Sequence, residues 1–199
     1  MRQMKLIPAL LIVGMFAVSG WAEDAKPEPY SPELVKKAQE GDALAQSNLG
    51  VYYVIGEGVT KDEKEAVKWF AKSAEQGNAL GQRNLGSCYL NGNGVTQDYK
   101  EAAKWLTKSA EQGNSEAQCL VGGFYLNGKG VTQDYKEAVK WYTKSAEQGD
   151  VGAQFILGCC YLKGEGVTQD MKEAVKWWTK AAQQGDEDAK KALEMLKSK

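Results

Sequence analysis

Residues Gly77 to Gln112, GNALGQRNLGSCYLNGNGVTQDYKEAAKWLTKSAEQ, decide the fold, because this stretch of about 36 residues occurs four times in the 199-residue chain. The copies follow one another without insertion, and each places a tryptophan at the same point: Trp69, Trp105, Trp141 and Trp177. A fixed period of this length is typical of an array of small units that stack side by side. The sequence therefore predicts an all-α solenoid of four helix-turn-helix repeats.

Two helices are predicted in each repeat. Asn78 follows a glycine and precedes an Ala/Leu-rich run, which is typical of a helix N-cap. Asp98 begins the second helix, and Glu101 three residues later predicts a capping box, so these carboxylates have a structural role. The intervening loop, residues 91–94, contains glycines that make a turn with positive φ. It leads into no phosphate-binding Lys-Ser/Thr sequence.

Gly86 lies in the middle of the first helix, where glycine costs roughly 1 kcal/mol relative to alanine. Equivalent glycines recur in the other copies, at Gly50, Gly122 and Gly158. We expect the two helices of a repeat to cross at this glycine and to leave no room for a β-carbon. The second helix is predicted to bury an apolar stripe and to expose a row of lysines opposite it. The stripe in the second repeat is Ala102, Leu106 and Ala110.

The recurring motifs are Gln-x-x-Leu-Gly-x-x-Tyr, Gly-x-Gly-Val-x-x-Asp, Glu-Ala-x-Lys-Trp and Ala-x-Gln-Gly. Together they resemble the Sel1-like repeat, a relative of the tetratricopeptide repeat, from about Gly41 to Lys199. The resemblance implies a right-handed α/α superhelix with half-repeat caps. It also implies an adaptor or scaffold for protein complexes, as most members of that family are.

The N-terminal segment, residues 1–22, has the pattern of a cleaved secretory signal peptide. Arg2 and Lys5 precede an apolar core, and small residues lie just before Glu23. An uncleaved N-terminal anchor is the alternative. Cleavage predicts an exported protein with no membrane association. The periplasm is the favoured location, and secretion into the medium is the alternative.

The remaining segments flank the repeats. Residues 23–30 are polar and predict a disordered leader. Residues 31–40 predict a capping helix that begins with Ser31 as N-cap and Pro32 at the first helical position. The predicted repeats and closing helix are residues 41–76, 77–112, 113–148, 149–184 and 185–199.

Composition and motifs argue against several classes of function. The net charge is −1, with no basic excess that would indicate nucleic-acid binding. The chain contains no histidine, which removes the commonest general base and metal ligand. The sequences Ser-x-x-Lys, Ser-Asp-Asn and Lys-Thr-Gly are absent. We therefore predict no catalytic residues, no metal site, no cofactor and a monomeric protein.

The four cysteines do not recur at one position of the repeat. Cys88 and Cys160 are predicted to be buried as apolar residues. Cys119 and Cys159 lie on consecutive first helices, and the sequence leaves open whether they form a disulfide. Cysteine-rich relatives in the family link the two helices of one repeat through regularly spaced cysteines, a spacing that this chain lacks.

Positions on the first helices that differ between copies and face the inner side are predicted to bind a peptide or protein. In the first two repeats they are Ser47, Asn48, Val51, Ile55, Arg83, Asn84, Ser87 and Asn91. In the last two they are more apolar: Cys119, Leu120, Asn127, Phe155, Ile156, Cys159 and Lys163. Arg83 is predicted to anchor a partner's carboxylate. The alternative is that these positions differ because nothing constrains them.

Three functional hypotheses follow. The favoured one is an exported scaffold that binds a peptide or protein in the groove of the solenoid. The second is a secreted factor that acts on host cells. The third is a β-lactamase or penicillin-binding activity, which the resemblance raises because some cysteine-rich relatives are described as having it.

Overall fold

A computed structural model describes residues 28–197, and the predicted signal peptide, residues 1–22, lies outside them. Ten α-helices and no strands occur in the described part of the chain. They are α1 (Pro32–Gln39), α2 (Ala43–Ile55), α3 (Glu63–Glu75), α4 (Ala79–Asn91), α5 (Tyr99–Glu111), α6 (Ser115–Asn127), α7 (Tyr135–Glu147), α8 (Val151–Lys163), α9 (Met171–Gln183) and α10 (Glu187–Lys197). The predicted all-α array of four tandem repeats is confirmed.

The first helices of the four repeats are α2, α4, α6 and α8, and the second helices are α3, α5, α7 and α9. The chain divides after Trp105, within α5, into an N-terminal unit and a C-terminal unit. In the N-terminal unit α1, α2, α3 and α4 pack in chain order, and α2 also contacts α4. In the C-terminal unit α6 to α10 pack in chain order. The handedness of a superhelix over all four repeats stays a prediction.

Helix N-caps follow the prediction at the first helices. The side chains of Asp42, Asn78, Asn114 and Asp150 each accept a hydrogen bond from the backbone N–H three residues later. At the second helices the predicted capping box is only half right. Asp134 Oδ1 accepts from the N–H groups of Lys136 and Glu137, but the backbone N–H of Asp134 donates to the carbonyl of Tyr125 at 2.9 Å. The Glu137 carboxylate pairs with Lys140 instead.

The mid-helix glycines mark the crossing of the two helices of a repeat, as predicted. A β-carbon at Gly50 would lie 2.5 Å from the ring of Phe70, and one at Gly122 would lie 2.9 Å from the ring of Tyr142. At Gly158 the corresponding neighbour is Trp178, at 2.5 Å. These separations are shorter than van der Waals contact, so only glycine allows the helices to approach this closely.

Buried glutamines connect three of the first helices, α2, α6 and α8, to the helices before and after them. Gln46 Nε2 donates to the carbonyl of Ala38 at 3.1 Å, and Gln46 Oε1 accepts from Gln76 Nε2 at 2.7 Å. Gln118 and Gln154 repeat both hydrogen bonds in the C-terminal unit. Because these amides are nearly inaccessible to water, their hydrogen bonds fix the stacking of three successive helices.

The predicted lysine row of the second helices is exposed, but it is more than a solvated face. Lys72 Nζ lies 4.1 Å from the ring centroid of Trp69, and Lys144 Nζ lies 4.2 Å from that of Trp141. Lys180 covers Trp177 in the same way. One lysine of each of these helices therefore covers the outer face of a tryptophan through a cation–π contact.

Residues 28–30, assigned above to a disordered leader, pack against the first repeat. The Tyr30 ring meets the Tyr52 ring edge-on, with centroids 5.4 Å apart. The Tyr52 hydroxyl donates to the carbonyl of Glu28 at 3.0 Å, and the Glu28 carboxylate pairs with Lys37. For these residues the prediction of disorder is wrong, because the Tyr30 ring packs against the Tyr52 ring of α2. Residues 23–27 lie outside the described residues.

Candidate interaction surface on the first helices

The first helices bury most of the positions that all copies share, apart from the half-buried tyrosine at Tyr53 and its equivalents, and their exposed side chains differ between copies. The buried Gln46, Leu49 and Gly50 of α2 have equivalents of closely similar type in every repeat, and these are buried as well. The accessible surface of the first helices is formed largely by side chains that vary from copy to copy. A varied surface on a constant scaffold is an arrangement that can select a partner without changing the fold.

Five of the predicted contact residues are buried within their units, so they cannot touch a partner directly in this conformation. They are Ser47, Val51, Asn84, Cys119 and Ile156. Asn84 Nδ2 donates to Ser47 Oγ at 3.2 Å and joins α4 to α2. The row containing Ser47 and Cys119 thus faces the neighbouring helix rather than solvent at these two copies.

In the N-terminal unit the accessible predicted residues are Asn48 and Ile55 on α2 and Arg83, Ser87 and Asn91 on α4. The three residues of α4 lie four positions apart, so they follow one side of the helix. Asn91 and Ile55 are exposed, and the other three, which are polar, are half-buried. They offer amide, hydroxyl and guanidinium groups, which suit the polar backbone and the carboxylates of a polypeptide.

Sequence reasoning missed Leu44, which belongs to the same surface as the predicted Ile55. Each is 49% exposed, although both are large apolar residues. Leu44, Asn48 and Ile55 are spaced by four and seven residues, so they form one outward stripe of α2. The row that contains Leu44 could have been found from its variation, since its equivalents are Leu80, Glu116 and Gly152.

The accessible predicted residues of the C-terminal unit are Leu120 and Asn127 on α6 and Phe155, Cys159 and Lys163 on α8. Asn127 Nδ2 donates a hydrogen bond to the carbonyl of Gly123 within its own helix, at 2.9 Å. Phe155 and Cys159 pack partly against the core cluster that contains Trp178. Lys163 Nζ lies 3.6 Å from Glu165 Oε1. This surface is less polar than that of the N-terminal unit.

All four cysteines are free thiols in the structure. Cys88 and Cys160 are buried as predicted, and burial raises the pKa of each thiol to about 12. Burial also raises the pKa of Cys119 well above its ordinary value, and that of Cys159 to about 11. Protonated thiols of this kind are poor nucleophiles and poor metal ligands at neutral pH.

Two other features are absent from residues 28–197. No group of three or more Cys, Asp or Glu side chains there is arranged to hold a metal ion. No helix of that part is long and apolar enough to cross a membrane. The aspartates that begin the second helices are occupied with capping hydrogen bonds, such as those that Asp62 accepts from Lys64 and Glu65.

Comparison with known proteins identifies the repeat. The family model described as Sel1 repeat matches four consecutive segments, residues 43–78, 79–114, 115–150 and 151–186. Each segment begins at the first residue of a first helix and ends after a second helix. No functionally curated protein matches the chain.

Several solved structures resemble the chain, including three with identities of 31% to 41%. A protective antigen present in uropathogenic Escherichia coli strains, which displays an SLR fold, is 41% identical with a TM-score of 0.78, over 81% of this chain and 35% of that one. A Sel1 repeat protein from Oxalobacter formigenes is 40% identical with a TM-score of 0.74, over 80% of this chain and 65% of that one. Cysteine rich protein B of Helicobacter pylori is 31% identical with a TM-score of 0.52, over 67% of this chain and 96% of that one. The chain thus covers less than two thirds of the length of the first two.

Proposed function

This chain belongs to the Sel1 repeat family, whose fold is commonly a protein-interaction scaffold, and we propose that it is an exported scaffold binding a peptide or protein segment on its first helices. One observation carries the proposal: the Gln46, Leu49 and Gly50 positions, which hold the same or a closely similar residue in all copies, are buried in every copy, whereas the side chains that are exposed on these helices differ from copy to copy. Sel1 repeat proteins are typically non-enzymatic. We accordingly expect no turnover of β-lactams or cell-wall peptides.

The chemistry of the N-terminal unit favours a polypeptide as the partner. Leu44 and Ile55 offer apolar contact at the two ends of α2, and Asn48 lies between them. Asparagine amides both donate and accept, so they can bond to the backbone of an extended segment. Such a mixture of apolar anchors and amides suits a peptide or partner helix better than a small charged metabolite.

Binding is tested with peptides presented on a library, comparing the wild type with Arg83→Ala. We expect Arg83→Ala to weaken the binding of peptides that end in a free carboxylate, with little change in the thermal midpoint, because Arg83 is half-buried on the surface of α4. Amidated versions of the same peptides should lose less affinity. The matched control is Lys64→Ala, which removes an exposed positive charge from the second helix α3. Equal binding by Arg83→Ala and wild type would remove the carboxylate anchor from the proposal.

Export is the second part of the proposal, and residues 1–22 support it as a signal peptide. The mass of the protein purified from the envelope of producing cells should correspond to a chain that begins at Glu23. A protein that retains Met1 and stays with the membrane would instead indicate the uncleaved anchor.

A secreted factor that acts on host cells is the second candidate. The observation in its favour is the 41% identity to a protein described as a protective antigen of uropathogenic Escherichia coli. The binding surface would be the same, and only the location would differ. Fractionation of a growing culture separates the two: a secreted factor accumulates in the medium, whereas a periplasmic scaffold is released by osmotic shock.

A further inference from the structure

The first and last described helices are each half of a repeat. By the register of the repeats, α1 corresponds to a second helix and α10 to a first helix. An α10 from one molecule and an α1 from another would together supply the two helices of a complete repeat. We propose that four charged residues prevent this end-to-end association between copies: Lys37 and Glu40 on the α1 side, and Lys190 and Glu194 on α10.

Glu194 occupies the position of the crossing glycine. In the internal repeats a β-carbon at that glycine would lie 2.5 to 2.9 Å from the aromatic ring of the second helix, as at Gly50, Gly122 and Gly158. Glu194 places a whole side chain there, and it is exposed on α10. A second helix therefore cannot approach α10 at the distance that the internal repeats use.

Lys190 occupies the position of the buried glutamine. In the internal repeats Gln46, Gln118 and Gln154 each accept a hydrogen bond from the glutamine that ends the second helix, at 2.7, 2.8 and 2.9 Å. Lysine has no acceptor, so Lys190 cannot receive such a bond. Its ammonium group instead lies 2.7 Å from Glu187 Oε1 on the surface of α10.

The two charged residues on the α1 side replace the groups that a second helix uses to hold its first helix. Lys37 stands where the fourth repeat has Ala181 and the first and third repeats have Ser73 and Ser145, whose hydroxyls donate to backbone carbonyls of the first helix at 2.6 and 2.8 Å. Lys37 is paired with Glu28 at 3.0 Å. Glu40 stands where the internal repeats have the donor glutamine, and an ionised carboxylate donates nothing.

Opposite charges on the two ends do not restore the contact. Glu40 of one copy and Lys190 of another carry opposite charges, but Lys190 is already paired with Glu187 within its own helix. Exposed ion pairs of this kind contribute little and are screened by salt. Glu194 still keeps a second helix at a distance, so the two half-repeats do not complete one another.

The experiment restores the internal residues at one end at a time. An N-end variant carries Lys37→Ser and Glu40→Gln, and a C-end variant carries Lys190→Gln and Glu194→Gly. In sedimentation velocity, the wild type and each variant alone should sediment as single chains. In each of these samples, any end-to-end contact would still include at least one unchanged end with its two charged residues. An equimolar mixture of the two variants should form a one-to-one complex, whose fraction rises with concentration.

The control mixture makes the same changes of residue type away from the ends. One partner carries Lys64→Ser and Glu75→Gln, and the other carries Lys136→Gln and Glu147→Gly, all at exposed positions. The control mixture should remain single chains. The proposal is overturned if the wild type associates end to end, or if the control mixture associates as strongly as the test mixture. It is also overturned if the test mixture stays monomeric while circular dichroism shows that both variants keep their helices.

Discussion

Two neighbouring glycines of α6 test the packing at the scale of one residue. A β-carbon at Gly122 would lie 2.9 Å from the Tyr142 ring, whereas one at Gly123 would meet only the Tyr142 hydroxyl, at 3.5 Å. We expect Gly122→Ala to lower the free energy of unfolding by about 1–3 kcal/mol through overpacking. Gly123→Ala should raise it by roughly 1 kcal/mol, because alanine is the better helix former. Urea titration measures the free energy of unfolding of both variants. Equal changes in the two variants would contradict the close crossing of α6 and α7 at Gly122.

The buried thiols predict that the free energy of unfolding decreases at alkaline pH. Burial raises the pKa of Cys88 and of Cys160 to about 12 in the folded protein, whereas an unfolded chain releases thiol protons at about 8.5. Between these values the unfolded state binds fewer protons, so stability conferred by the buried thiols is full below about pH 8.5 and falls as the pH rises. The free energy of unfolding should therefore decrease above about pH 8.5.

The control for the thiols is Cys88→Ala. This variant is less stable at every pH because it leaves a cavity, but its stability should depend less steeply on alkaline pH, since one titrating group is gone. Parallel pH curves for the variant and the wild type would show that Cys88 does not carry the dependence.

At the scale of helices, Gln118 tests what holds successive elements together. Its amide donates to the carbonyl of Ala110 at 3.0 Å, accepts from Gln148 Nε2 at 2.8 Å and is almost fully buried. We expect Gln118→Ala to cost about 1–3 kcal/mol, because the buried carbonyl of Ala110 and the amide of Gln148 each lose a hydrogen bond. Gln183→Ala, at an exposed position of α9, should change stability by less than about 0.5 kcal/mol. Similar losses for both variants would mean that the buried amide does not join the helices.

The helices themselves could be predicted because their signals are local. Caps such as Asn114, the crossing glycines and the 3.6-residue spacing lie within one repeat and recur in all copies. The capping box was predicted in full, but only half of it forms, for a physical reason. The backbone N–H of Asp134, which should bond to Glu137, donates instead to the carbonyl of Tyr125 in α6, across the loop. A contact between two elements of this kind leaves no signal in the spacing of Asp134 and Glu137.

The binding surface was harder to predict than the fold, because periodicity identifies the faces of a helix but not the neighbour that covers each one. On α2 the Ser47 row was predicted to face a partner, yet it turns toward α4 and hydrogen-bonds to Asn84. The Leu44 row, one turn earlier, is the one that reaches solvent. The choice between these rows depends on how α2 and α4 pack against each other, which the sequence of a single repeat does not specify.

For the whole molecule, the central claim is that the first helices, and not the second, are the surface that holds a partner. The direct measurement is site-specific photo-crosslinking in the producing cells, with a photoreactive residue in place of exposed Asn91 on α4 or in place of exposed Lys64 on α3. The account predicts a discrete covalent adduct with another protein from position 91 and none from position 64. Adducts from position 64 alone, or the same adducts from both positions, would contradict it.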